Sequence, residues 1–222
     1  MTDWPRLIRI TTAAFWPILK AGLMLTMPMT LSSFTVGLVI ASITAFFRLS
    51  KYTPLQKVGE IYVWIFRGTP LLVQLFIVFY GLPSIGVRLS AITSAIIAFS
   101  LNVGAYCSET IRAAILAIPK GQWDAAFSLG MTRRQALRRI IAPQSLVIAV
   151  PPLSNTFISL VKDTSLAANI TIVEMFMATQ RIAARTYEPM LLYCLAALIY
   201  LAFSTILTGL QSKMEAAFSK KR

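Results

Sequence analysis

An all-α polytopic membrane protein with five transmembrane helices is the fold class this sequence predicts, and three observations predict it. Five stretches, 21–47, 68–87, 89–108, 140–161 and 189–212, contain no Asp, Glu, Lys or Arg. Each is about 20 residues or longer, enough to cross a hydrocarbon core of roughly 30 Å as a helix. Mean hydropathy is +0.71 with only 13% of residues charged, too little charge to cover a soluble domain of this length. The third observation is charge asymmetry. Segments 48–67, 112–139 and 213–222 carry fourteen of the 21 Lys and Arg residues, and the remaining segments carry seven. Lys and Arg concentrate in cytoplasmic loops, so the N-terminus is expected outside and the C-terminus inside. The net charge of +13 is thus mainly a topology signal, and no nucleic-acid partner is expected.

Residues 1–20, with Trp4, Phe15 and Trp16 among Arg6, Arg9 and Lys20, are expected to lie at the outer interface, where amphipathic aromatics anchor at headgroup level. Pro5 and the charges of MTDWPRLIRI do not read as a signal peptide. The first span, 21–47, contains Gly22, Pro28 and Gly37, which neighbouring helices make tolerable. The second is expected over 59–80, with Glu60 and Arg67 seven apart on one face as a candidate inner ion pair. Pro70 marks a distortion in it. Gln74 either bonds a neighbouring helix or faces an aqueous path.

The third span is expected over 89–115. It carries Asn102 and, near its inner end, Glu109 and Arg112, three apart and able to pair; a gating or substrate role is the alternative. The fourth, 140–163, holds Pro151-Pro152, expected to bend it. Asn155, Ser159 and Lys162 follow at i, i+4 and i+7 as a polar stripe, with Asp163, Thr164 and Ser165 beyond. Residues 167–188 are expected as a helix lying across the outer face, and the fifth span covers 189–212 with a basic inner tail. Cys107 and Cys194 both fall in spans, so apolar packing is expected rather than a disulfide. With no histidine, the commonest metal ligand and general base is missing; no metal site and no catalytic residues are expected.

Between the third and fourth spans, the segment 119–139 interrupts the apolar pattern with a polar, basic, helical run. Asp124 is expected near the N-terminus of a short helix, where negative charge complements the dipole. Ala125, Ala126, Leu129 and Gly130 offer a smooth face that another surface can approach closely.

The run Asp124-Ala125-Ala126, three residues, Gly130, nine residues, Ile140-Ile141-Ala142-Pro143 resembles the cytoplasmic signature of ABC importer permeases, E-A-A-x3-G-x9-I-x-L-P. Spacing matches throughout, with Asp for Glu at 124 and Ala for Leu at 142. The shorter Asp puts in doubt any salt bridge that Glu makes in relatives. The stretches FRGTPLLVQLFIVFYGLP, AYCSETIRAAI, KGQWDAAFSLGMT and PPLSNTFISLVKDTSLAA extend the likeness to nearly the whole chain. They are similar to permeases of the polar amino-acid uptake branch, L-cystine permeases foremost.

The resemblance implies a type I importer permease fold, with 119–139 as a cytoplasmic coupling helix. It also implies a second permease subunit (a homodimer or a related heterodimer), a cytoplasmic ABC ATPase dimer holding ATP and Mg, and an extracytoplasmic amino-acid-binding protein. The setting it implies is multi-pass in the bacterial plasma (inner) membrane. A zwitterionic amino acid needs an anion for its amine and donors for its carboxylate. Lys162 and Asp163 supply both signs, and Thr164 and Ser165 supply hydroxyls, or else Lys162 and Asp163 hold the outer mouth together. The chain has no G-x-x-x-x-G-K-[ST] run, so ATP hydrolysis and its cofactors are expected on a separate chain. An ion-coupled secondary carrier is the alternative, but five helices show no internal repeat.

Overall fold

The computed structural model describes residues 3–219, and every regular element among them is helical. In chain order these are α1 (Trp4–Arg48), α2 (Thr53–Gly68), α3 (Leu71–Ile85), α4 (Ala91–Leu116), α5 (Lys120–Ser128), α6 (Arg133–Ile170), α7 (Met175–Thr186) and α8 (Pro189–Ser219). Helices α1, α4, α6 and α8 are long and apolar enough to cross a membrane, and the pair α2–α3, bent by 104° at its break, meets the same test only when taken together, which gives four or five spans. Lys220, Lys221 and Arg222 of the basic tail, and Met1 and Thr2 of the N-terminal segment, lie outside the described residues.

Two boundaries differ from the sequence reading. Residues 4–20 are not a separate element. They continue through a π-helical turn at Gly22–Thr26 into the first span as one 45-residue helix. The second span is not one helix over 59–80. Pro54 sits in the first turn of α2, a position its fixed φ and missing N–H suit, so α2 begins earlier. It then stops at Gly68, because Pro70 disfavours the helical region for its predecessor and Thr69 is extended at φ −119°, ψ 146°. Helix α6 continues through both Pro151 and Pro152.

The chain gathers into two compact units, one comprising the residues up to Phe34 with Leu71–Phe99 and Ile158–Thr208. Its core holds Ala14, Ile18, Met175, Leu192, Leu195 and Ile199, where α1 packs along α7 and α8. Gly22 allows this approach, since a Cβ there would come within 3.0 Å of Met175 Sδ and Phe203. Arg6 ties the ends together, donating to the Thr186 carbonyl at 3.2 Å and pairing with Glu188 at 3.5 Å.

The other unit comprises Thr35–Pro70, Ser100–Phe157 and the residues from Gly209. Here α1 and α4 cross closely over glycines. A Cβ on Gly37 would lie 2.7 Å from Val103, and one on Gly104 would lie 2.7 Å from Ile40 and 2.6 Å from the Tyr62 hydroxyl. Small residues at such crossings let membrane helices gain van der Waals contact. Beneath the crossing, Ile115, Ile118 and Ile141 form a buried cluster with Trp123 and Leu137 packed against it.

Candidate functional site: the coupling segment and two polar clefts

Pro119 precedes α5 and starts it at Lys120. The helix therefore begins four residues before Asp124, which leaves this exposed carboxylate beyond the first turn, where the dipole acts most strongly. Its expected place near the N-terminus is corrected accordingly. The end of α5 is closed by a Schellman turn. Met131 N–H donates to the Ala126 carbonyl at 3.1 Å and Gly130 N–H to the Phe127 carbonyl at 2.9 Å, with Gly130 left-handed at φ +76°. Thr132 then caps α6 in a reciprocal box. Its hydroxyl accepts from Gln135 N–H at 3.3 Å, and its own N–H donates to Gln135 Oε1 at 2.8 Å.

A stop at Gly130 and a new start at Thr132 set α5 as a separate short helix. Its outward surface differs from the sequence expectation. Ala126 is buried at 2% and turned into the fold, where α5 packs on the first turns of α6. Ala125 and Gly130 are exposed, Leu129 is 78% exposed, and Phe127 joins them, in ring contact with Trp123. Phe127 went unremarked in the sequence, although its apolar ring beside Leu129 was a signal.

The four charged residues expected to pair in the second unit sort into two groups. Glu109 accepts from both Arg112 and Arg48, with Arg112 Nε at 3.1 Å. Arg48, 61 positions away, was not paired with it in sequence because only folding brings α1 to α4. Glu60 and Arg67 take other partners than each other. Glu60 accepts from Gln56 at 3.2 Å, one helical turn back, and the Arg67 guanidinium stands 5.2 Å over the Tyr106 ring. Arg67, Tyr106, Glu109, Pro152 and Thr156 line a cleft of about 480 Å³.

Among the expected pathway residues of this unit, Asn102 donates to the Phe66 carbonyl at 3.3 Å, and Asn155 accepts from Gln211 at 3.1 Å. Asn102 thus caps a carbonyl in the last turn of α2, next to the break. In the other unit, Gln74 is 5% exposed and Thr164 is fully buried, donating to the Val161 carbonyl. Burial takes Thr164 out of reach of a solute. Ser159 and Asp163 are exposed. Lys162 and Ser165 open onto a cleft of about 560 Å³ with Tyr200, Ser204 and the stacked rings of Phe176 and Tyr193, 5.9 Å apart. A cation, hydroxyls and aromatic faces together suit a small polar solute with an anionic end.

A family model for binding-protein-dependent transport system inner membrane components matches residues 33–220. The L-cystine transport system permease protein TcyB of Bacillus subtilis (strain 168) is 52% identical over 91% of this chain and 87% of its own length. The crystal structure of an amino acid ABC transporter with histidines superposes at a TM-score of 0.88. It shares 32% identity and covers 98% of this chain and 99% of its own. An inward-facing structure of the MetNI methionine ABC transporter superposes at 0.70 with 17% identity over 98% and 99% of the two chains, a likeness of fold.

Proposed function

Because this chain belongs to the binding-protein-dependent inner membrane components, the permeases of ABC importers, we propose that it is the subunit through which L-cystine crosses a bacterial plasma membrane. The named relative TcyB supports the substrate. The cleft at Lys162 and Ser165 supports a zwitterionic solute, since the ammonium complements a carboxylate and the rings offer apolar contact. In this reading the N-terminus is outside and the C-terminus inside. An extracytoplasmic binding protein delivers the solute, and a second permease subunit completes the path.

The observation that carries the mechanism is the isolated α5, closed by the Gly130 turn and presenting Leu129 and Phe127. We assign it to a cleft on a separate ATPase that holds ATP and Mg. ATP-driven closure of the ATPase pair moves α5, and the spans switch between outward-open and inward-open states. Coupling requires that α5 contact the ATPase differently in the two states. Reconstitution with the cognate ATPase and binding protein tests this: uptake of radiolabelled cystine depends on ATP and on both partners. Uptake driven by an ion gradient, without the ATPase, would overturn it.

A further inference from the structure

A cleft of about 740 Å³ lies where α1 and α4 end and α5 and α6 begin. Four basic side chains line it: Lys51, Lys120, Arg133 and Arg134. All four are exposed, and none is in a salt bridge among the described residues. The remaining wall is largely apolar, with Phe46, Leu49, Ile115, Leu116, Ile118 and Leu137, and Trp123 beside them. No acidic residue lines it.

Two features point to what belongs there. Phe46 and Leu116 are in the last turn of membrane-spanning helices and are exposed, so the apolar wall sits at the boundary between acyl chains and headgroups. Arg133 and Arg134 occupy the first turn of α6, where the helix dipole already places positive charge and disfavours cations. Two cations in that position, with two lysines facing the same space, form an electrostatic site that an anion relieves.

We propose that this cleft binds an anionic phospholipid from the leaflet on the side of α5, the four cations holding the phosphate-bearing headgroup and the apolar wall holding the first methylenes of an acyl chain. Basic pockets between membrane helices hold anionic headgroups in this way. An acidic protein surface would match the charges but not the exposed Phe46 and Leu116 at the ends of two spans. Because Lys120 and Trp123 belong to α5, an occupied site braces the coupling helix from its membrane side.

Trp123 supplies the probe. The permease–ATPase complex is placed in nanodiscs of phosphatidylcholine containing increasing phosphatidylglycerol, with bromine on the acyl chains of one lipid or the other. The difference between the native protein and Trp123→Phe isolates quenching at this tryptophan. Brominated phosphatidylglycerol is expected to quench Trp123 at a mole fraction about tenfold lower than brominated phosphatidylcholine. The combined variant K51Q/K120Q/R133Q/R134Q abolishes that preference, and K51R/K120R/R133K/R134K retains it. Equal quenching by the two lipids in the native protein overturns the proposal, whatever the variants do. So does loss of the preference on adding inorganic phosphate, which would assign the site to a soluble anion. A neutralised variant that loses the ATPase yet keeps the lipid preference would assign the cations to the partner, and also overturns it.

Discussion

Glu174 stands just before α7 with 0% of its surface exposed, and both of its carboxylate oxygens are used. Oε2 accepts from Phe176 N–H and Oε1 from Met177 N–H, each at 2.8 Å, and Tyr200 donates to Oε2 at 3.2 Å. Burial raises the carboxyl above its ordinary value of 4.5, and the three donors pull it down only in part. The folded state therefore keeps this proton to higher pH than the unfolded chain does. Its contribution to stability is fully present below the ordinary value and declines as pH rises through the window above it. Thermal melts in detergent should show that decline, and Glu174→Gln should flatten it; an unchanged slope would refute the assignment. Gly130 poses a different residue-scale question, because its left-handed φ and its open surroundings are separate requirements. Ala there costs about 1–2 kcal/mol in backbone strain. Asn tolerates the conformation while adding a side chain. Gly130→Asn is expected to keep the turn yet lose substrate-stimulated ATP hydrolysis in the reconstituted complex. Native stimulation in that variant would mean that the turn alone matters.

Between elements, what holds the second unit together is the close crossing of α1 and α4 over Gly37 and Gly104. Gly104→Ala forces its methyl against Ile40 and the Tyr62 hydroxyl, which is anchored by donating to the Leu101 carbonyl. Overpacking of this kind costs about 1–3 kcal/mol, read as a lower melting temperature. Gly209→Ala, inside α8 with nothing within 4 Å, should not lower it, because Ala favours a helix interior over Gly. Much at this scale could be read in the sequence, and some could not. Charge-free runs pointed to the apolar helices because a bilayer tolerates little else, although the helices that begin at Trp4 and Thr53 extend well beyond them. The spacing from Asp124 to Pro143 picked out a separate short helix, because Gly130 ends it with a left-handed φ. The start of α5 was misplaced because Pro119 acts through backbone geometry, whereas the pattern of small residues begins only at Ala125. Arg48 and Glu109 are far apart in sequence, so periodicity along one helix could not pair them. Glu60 and Arg67 show the converse: they share a helix face, yet Gln56 and the Tyr106 ring lie closer at hand.

For the molecule as a whole, the transport reading predicts which residues shape the fold and which meet the solute. Lys162 is exposed on its cleft and Thr164 is buried with an internal hydrogen bond. Lys162→Ala is expected to lower cystine uptake about tenfold, the loss of one charge-assisted hydrogen bond, with the assembled complex intact on gel filtration. Thr164→Ser, which keeps the bond, should transport normally. Equal uptake by Lys162→Ala and the native protein would remove this lysine from the path.

The interruption at Thr69 and Pro70 reaches beyond the boundary of α2. A helix that stops leaves its last carbonyls without backbone partners, and hydrocarbon cannot hydrate them. Thr69 Oγ1 donates to the Ile65 carbonyl at 2.8 Å, and Asn102 to that of Phe66. Gly68, Thr69 and Pro70 themselves stay exposed. Main chain of this kind survives at membrane depth only against water or another polypeptide. At membrane depth, the exposed main chain at Gly68, Thr69 and Pro70 would face water or another polypeptide rather than acyl chains, a side along which a hydrated solute need not shed all of its water.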